Sequence, residues 1–373
     1  MSANCLISTV GTSLFANIKG QFNEGNGISK ETHDILKEHL AAKQWSRLAS
    51  ELVKIPPAAR ICGAEINSID EAVRRGRVTL NHLCFLVSDT EDGKNMGKLL
   101  ENYYIERGLK DIQSVDSYPI EGLQDENPAR FRTFGLRNLV RQIGDLVEKY
   151  GAERIIIDAT GGYKAQIAIA VVFGQALSIP VLYRHERFSE IITIPPMPIS
   201  FDYSILGENA GLLARFERND TLTLNEIHEL DDKIRVLLEE YEIDGENVFG
   251  LGAVGQIYLT GFRAAYPRDR QLPPVKDGEK TPPRFRDDHY PNGFKPFVEK
   301  VCREVAWIKT AHSLPYHKQK AIKGDFYAYE GKLVGTYRND YGARFEILTS
   351  VESPTAEQLA WAADQLNQLY WEQ

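Results

Sequence analysis

The stretch Arg154–Lys164, RIIIDATGGYK, constrains the fold of this chain more than any other. Ile155, Ile156 and Ile157 are a β-branched run of the kind that fills a strand buried on both faces of a parallel sheet. Asp158 ends the run, Thr160, Gly161 and Gly162 read as a turn, and Tyr163–Ser178 is apolar enough, with Lys164 and Gln166 near its start, to be a helix. A strand, a Gly-Gly turn and a helix N-terminus make an anion site. The glycines let backbone N–H groups approach a phosphate and the helix dipole adds positive potential, with Lys164 supplying a formal charge. The spacing is neither that of a P-loop nor that of the GxGxxG dinucleotide turn, so alone it reads equally well as a tight turn after a core strand.

A second turn adds weight. Cys5–Val10 (CLISTV) is another buried-strand run and opens into Gly11, Thr12 and Ser13. Two such loops at the carboxyl ends of parallel strands are where open α/β sheets bind ligands. Further strands are expected at Leu80–Val87, Ile112–Ile120 (an edge), Ile179–Tyr183 and Ile191–Ile194. Helices are expected after Ser29, over Ala64–Val73, around Leu99–Tyr104, and from Pro128 to Tyr150. This alternation predicts a doubly wound parallel α/β sheet over residues 1–200, with Pro195, Pro196 and Pro198 marking its exit. Ser88, Asp89 and Thr90 read as a helix N-cap. Arg130, Arg132, Arg137 and Arg141 make the last long helix basic, either as a solvated face or as a lining for phosphates.

The pairing of S-T-V-G-T-S after the first strand with D-A-T-G-G-Y-K after a later one resembles the CARF family, the Rossmann-like ligand-sensing domains of CRISPR-associated effectors. The resemblance covers roughly the first half of the chain. It implies a homodimer that binds a cyclic oligoadenylate, cyclic tetra-adenylate first among them, as an allosteric activator. Thr9, Gly11, Thr12, Ser13, Thr160, Gly161, Gly162 and Lys164 of each subunit would face the ring. It also implies an effector in the second half.

The 373 residues suffice for two or three domains. A net charge of -8 argues against indiscriminate nucleic-acid binding and confines any RNA contact to a local basic patch. Cys5, Cys62, Cys84 and Cys302 are scattered, without a CxxC pair, and support neither a disulfide framework nor a zinc site. With no signal peptide and no apolar run long enough to span a bilayer, a cytoplasmic protein is expected, with no membrane partner.

Residues 201–266 read as a helical or winged-helix connector. Glu226–Tyr241 is expected to be one acidic amphipathic helix and Ala253–Ala265 a second, and the acidity of the first argues against a stable DNA complex. Residues 267–296, with Pro267, Pro273, Pro274, Pro282, Pro283, Pro291 and Pro296, read as a linker. The last domain, 297–373, reads as a helix over Phe297–Thr310, a basic segment His312–Gly324, and strands at Asp325–Tyr329, Lys332–Arg338 and Ala343–Thr349. Turns fall at Glu330-Gly331 and Asn339-Asp340, and Pro354–Tyr370 closes the domain as a helix.

That α+β order resembles the RelE toxin fold, whose members cut messenger RNA on the ribosome without metal. RNA cleavage through the 2′-hydroxyl needs a proton acceptor, a proton donor and cations for charge building on the phosphorane. The candidate catalytic residues are Lys318, Lys320, Lys323, Arg338 and Arg344, with His317 or Tyr337 as proton carrier. The whole chain is then expected to be an endoribonuclease switched on by a cyclic oligoadenylate in type III CRISPR antiviral defence, with ribosome and mRNA as partners.

Three rivals remain. A HEPN ribonuclease would use Arg284 and His289, but these lie between Pro283 and Pro291, where a helix is excluded. A metal-dependent PD-(D/E)xK nuclease would use Glu330, Gly331 and Lys332 with Asp325, although Glu330-Gly331 reads better as a hairpin turn. A ligand-responsive transcription regulator would use residues 201–266 as a winged helix.

Overall fold

The computed structural model describes residues 3–23, 25, 27–185, 190–199, 201–218, 220–228, 230–266, 272–286, 289–315, 326–337 and 343–370. It divides into two compact units, Met1–Ser200 and Phe201–Gln373.

In the first unit β1 (Ala3–Thr9), β2 (Val78–Ser88), β3 (Ser114–Ile120), β4 (Ile155–Asp158), β5 (Val181–Tyr183) and β6 (Ile192–Ile194) form one sheet in the order β3-β2-β1-β4-β5-β6. All neighbours pair in parallel except β5 and β6. The expected parallel sheet is therefore present, closed at one edge by an antiparallel strand. The helices are α1 (Ser13–Lys19), α2 (Lys30–Ala41), α3 (Trp45–Val53), α4 (Gly63–Arg74), α5 (Glu91–Arg107), α6 (Pro128–Arg130), α7 (Leu136–Tyr150) and α8 (Lys164–Ala176).

The strands are buried because helices cover both faces. Leu6, Leu83, Phe85 and Ile156 point into a core shared with apolar residues of α1 to α5. The opposite face meets α7 and α8: His82 lies 4.6 Å from the Tyr150 ring, and Gly174 of α8 lets its backbone approach Val181. Ser29 caps α2 by accepting from Thr32 N–H, and Thr90 caps α5 through Gly93 N–H, as the sequence predicts. The helix expected from Pro128 to Tyr150 forms, with a π-helical turn at Phe131–Gly135 between α6 and α7.

In the second unit the order is α9 (Ser204–Glu217), β7 (Leu222–Thr223), α10 (Leu224–His228), α11 (Asp232–Arg235), β8 (Leu238–Ile243), β9 (Glu246–Leu251) and α12 (Ala253–Ala265), then α13 (Phe294–Glu304), β10 (Ile308–Ser313), β11 (Phe326–Tyr329), β12 (Lys332–Thr336), β13 (Arg344–Thr349) and α14 (Ala356–Leu369). Strands β7-β9-β8 make one antiparallel sheet and β10-β13-β12-β11 another.

Two expected helices are corrected. Glu226–Tyr241 is not one helix: Asp231 caps the short α11, and from Leu238 the chain is a strand. The decisive residues lie just beyond, where Asp244 and Gly245, both at positive φ, close a two-residue hairpin between β8 and β9. Phe297–Thr310 likewise ends as a helix at Glu304, and Ile308–Ser313 pairs with β13. The Glu330-Gly331 turn is present with both φ positive, joining β11 to β12.

The segments read as connector and C-terminal domain share one core. Leu206, Leu213 and Phe216 of α9 and Phe262 of α12 are buried in the same cluster as Phe297, Phe326, Phe345 and Trp361. The proline-rich stretch between them is not free either. Val275, Thr281 and Arg284 N–H groups donate to the carbonyls of Ala306, Lys309 and Ala311, and Ser313 N–H donates back to Arg284. Residues 275–284 lie along the outer edge of β10, where Pro282 and Pro283 need no donors.

Candidate functional site

β1 and β4 are neighbours at the point where the strand order reverses, so the turns that follow them meet. Thr9 Oγ1 donates to the Gly161 carbonyl at 2.6 Å, and a Cβ on Gly11 would lie 2.9 Å from Gly162 N. Glycine is required at each position. A Cβ on Gly161 would lie 2.0 Å from Glu65 Oε1, and Gly162 has φ +94 with Gln166 Oε1 where its Cβ would go. Of the residues expected to bind ligand, Thr9, Gly11, Thr160, Gly161 and Gly162 are brought together at this junction. Thr12, Ser13 and Lys164 are exposed beside it, and Ser13 Oγ also accepts from Ala64 N–H, tying α1 to α4. Phe131, in the π turn, packs edge-on against Tyr163 at 5.2 Å.

Beneath the turns lie residues that sequence reasoning missed. Glu65 of α4 is buried and its Oε1 accepts from Gly11 N–H at 2.7 Å, while Oε2 is buried with no partner among the described residues. Asp158 accepts from Ser68 Oγ at 2.5 Å, from Thr160 Oγ1 at 2.5 Å and from Thr160 N–H at 3.2 Å. Gln166 accepts from Tyr163 N–H at 2.6 Å, and its Nε2 is buried without a partner among the described residues. Burial pushes Glu65 up to about 7, opposed by the Gly11 hydrogen bond and reinforced by the charge of Asp158. Burial also pushes Asp158 up to about 6 against the pull of its Ser68 and Thr160 donors. A signal for α4 was available: Glu65 and Ser68 stand at helical spacing among Ile61, Ile66, Ile69 and Ala72, polar residues at positions where the apolar stripe faces the core.

In the second unit the expected catalytic residues His317, Lys318, Lys320, Lys323 and Arg338 lie outside the described residues, as does Asp325. Tyr337 is buried and donates its hydroxyl to the Asn292 carbonyl at 3.0 Å, packing against Phe294 and Phe297 at the start of α13. Arg344 is half-buried on β13, and its Nε has no partner among the described residues.

The strand register adds to Arg344 a set that was not singled out. His312, Glu346, Val334 and Tyr327 stand in one row across β10, β13, β12 and β11, on the face opposite the core residues Ala311, Ile347, Leu333 and Phe326. Arg344 and Thr336 form the adjacent row, and Lys332 reaches Glu346 at 3.1 Å. A base, an acid and cations thus share one sheet face. Arg284, part of the alternative HEPN pair, instead forms a β-bridge to His312.

No helix among the described residues is long and apolar enough to cross a membrane. The sequence matches no curated protein. Residues 60–197, which include Glu65, Asp158 and the Thr160–Lys164 turn, are similar to the family described as CRISPR-associated protein (Cas_APE2256), and this match supports a role in CRISPR defence.

Proposed function

We propose that the protein is a cyclic oligoadenylate-activated endoribonuclease of CRISPR defence, in which the ligand seats on the Gly11 and Gly161–Gly162 turns and the second unit cuts mRNA on the ribosome. The observation that carries the reading is the junction of two glycine turns at the reversal of a mostly parallel sheet, within and beside a stretch similar to a CRISPR-associated family. A ring ligand with two-fold symmetry calls for two subunits. α8 offers an apolar face for a second copy, since Ala168 and Val172 are exposed along its apolar middle.

For the second unit, cleavage by the 2′-hydroxyl needs a proton acceptor, a proton donor and a cation near the phosphorane. His312, Glu346 and Arg344 on one sheet face supply those chemical types without calling for metal, and the basic residues of 317–323 and Arg338 flank the same strands in sequence. A second reading, DNA binding, is favoured by one observation: α9, β7, α10, α11 and the β8–β9 hairpin follow the helix–strand–helix–helix–hairpin order of a winged helix. The helix that would read DNA, Asp232–Arg235, is four residues long and starts on two acids, so this reading stays second.

The purified protein is incubated with free RNA and with translating ribosomes, each with and without a panel of cyclic oligoadenylates. Cleavage confined to the ribosome and the ligand is expected, and survival of that cleavage in EDTA, with ribosome integrity controlled, separates it from a metal-dependent nuclease. Lys164→Ala should weaken activation with the nuclease chemistry intact, and Arg344→Ala should lose cleavage by about a hundredfold with nucleotide binding preserved. Loss of one and the same property in both variants would refute the division into sensor and effector.

A further inference from the structure

Glu65 sits at the junction of the two turns, and no cation among the described residues is seen to pair with it. The Gly11 N–H is the donor that an anion at this turn would seek, and a carboxylate of the protein already occupies it. A phosphate brought to the turns as they stand meets that buried negative charge, which is poorly screened by solvent.

The surroundings decide which carboxylate yields. Asp158 receives three hydrogen bonds from Ser68 and Thr160 and is helped further by Ser8, whereas the Glu65 carboxylate is favoured only by the Gly11 N–H and its own backbone N–H among the described residues. More donors favour the charged form, so Glu65 gains a proton first. Other ionisable groups nearby are engaged or turned away. On α4, Asp70 pairs with Arg107, and Glu71 with Arg74 and Arg75. Lys19 of α1 is exposed and reaches Asp92. His82 and Cys84 of β2 stand beside Cys5 and Ile7, on the face opposite Ser8 and Asp158. Tyr104 of α5 is a buried phenol held neutral by that burial, and Lys164 is exposed at the start of α8.

We propose that seating an anionic ligand on the two turns loads one proton onto Glu65 in each subunit, so that Glu65 is a proton-linked positioning residue for the Gly11 turn. This rests on the reading of the turns as the seat of a cyclic oligoadenylate. The protonated carboxyl still accepts from Gly11 N–H through Oε1, and its hydroxyl at Oε2 becomes a donor, as Gln166 Nε2 is already. The two buried atoms without partners then both suit a site asked to hold phosphate oxygens. Burial has already brought Glu65 up to about 7, so the proton is available near neutrality. Linkage fixes the sign: affinity for the anion falls as pH rises above that range, by up to about tenfold per pH unit, because the proton to be taken up becomes scarce.

Calorimetry of the full chain with cyclic tetra-adenylate, in two buffers of different ionisation enthalpy at about pH 8, counts the protons taken up on binding. We expect about one per subunit in the wild type and about none in Glu65→Gln, whose affinity should be up to about tenfold tighter than wild type at that pH and flat with pH. Equal proton counts in the two proteins, or binding with none in the wild type, overturn the role of Glu65 and leave the nucleotide reading standing. No heat in the wild type at any pH from about 6 to about 8 removes both. Should Glu65→Gln fold poorly, the wild type alone decides: an affinity that does not change over about two pH units overturns the proposal.

Discussion

An alanine at Gly161 would set its Cβ 2.0 Å from Glu65 Oε1 and 2.8 Å from the Thr9 carbonyl oxygen, and neither neighbour is free to move. Thr9 belongs to a central strand, and Glu65 is held on α4 by its bond to Gly11. Gly161→Ala should therefore cost about 1–3 kcal/mol of stability, seen as a lower thermal midpoint, and on the proposed function it should also lose nucleotide binding. Beneath it, Glu65 and Asp158 make stability depend on pH. Their folded values, about 7 and about 6, stand above the ordinary 4.5 and 3.8, so between those limits the native state binds more protons than the unfolded one. Stability is full below about pH 4 and falls as pH rises through 7, by roughly 3 kcal/mol for Glu65. The thermal midpoint of the wild type should drop from about pH 5 to about pH 8, and Glu65→Gln should remove much of that slope; a slope unchanged by the substitution would refute the assignment. The glycines were legible in the sequence because only a turn needs them there. Glu65 was legible only as a polar residue on the core-facing stripe of α4; its role was not, because its partner Gly11 lies across the fold.

Elements were legible where local chemistry and tertiary pairing agree. Ile155–Ile157 can hardly be anything but a buried strand, and Glu330-Gly331 between two alternating runs can hardly be anything but a hairpin. Reading failed where a helical period was met by chance, as in Glu226–Tyr241: its acids and leucines fit a helix, yet the Asp244-Gly245 turn pairs its end, Leu238–Tyr241, with β9. A comparable dependence on tertiary partners holds β11, the edge strand of the four-stranded sheet. Asn367 of α14 donates to the Phe326 carbonyl at 2.7 Å and accepts from Phe326 N–H at 3.1 Å, satisfying both backbone groups of a fully buried residue. Asn367→Ala leaves the two without that partner, and a cost of about 2–4 kcal/mol is expected. Amide exchange should show it first at Phe326, with β10 and β13 less affected; uniform loss of protection would mean that α14 rather than β11 gives way.

At the scale of the molecule, the sequence suggests a boundary near residue 297, but the burial pattern runs through it. The core around Phe297, Phe326, Phe345 and Trp361 is completed by Leu206, Leu213, Phe216 and Phe262, and Gly207 of α9 lies against Ala328 and Ala360 with room for little more than a hydrogen. Arg263 of α12 is held by Asp364 of α14 at 2.6 Å and by Glu217 of α9 at 2.8 Å. These contacts were invisible in sequence because they join residues far apart, 46 positions for Arg263 and Glu217 and 101 for Arg263 and Asp364, with no local signature on either side. A fragment of 297–373 would expose that apolar surface and leave Asp364 buried without its cation, a loss of several kcal/mol from each source. It should therefore remain unfolded or aggregate, whereas 201–373 should unfold in one cooperative transition with a sharp near-ultraviolet signal. If so, the second unit behaves as one body, because the stretch read as a linker is itself bonded along β10 through Val275, Thr281 and Arg284. Cooperative folding of the 297–373 fragment alone would overturn this and restore a separate effector behind a linker.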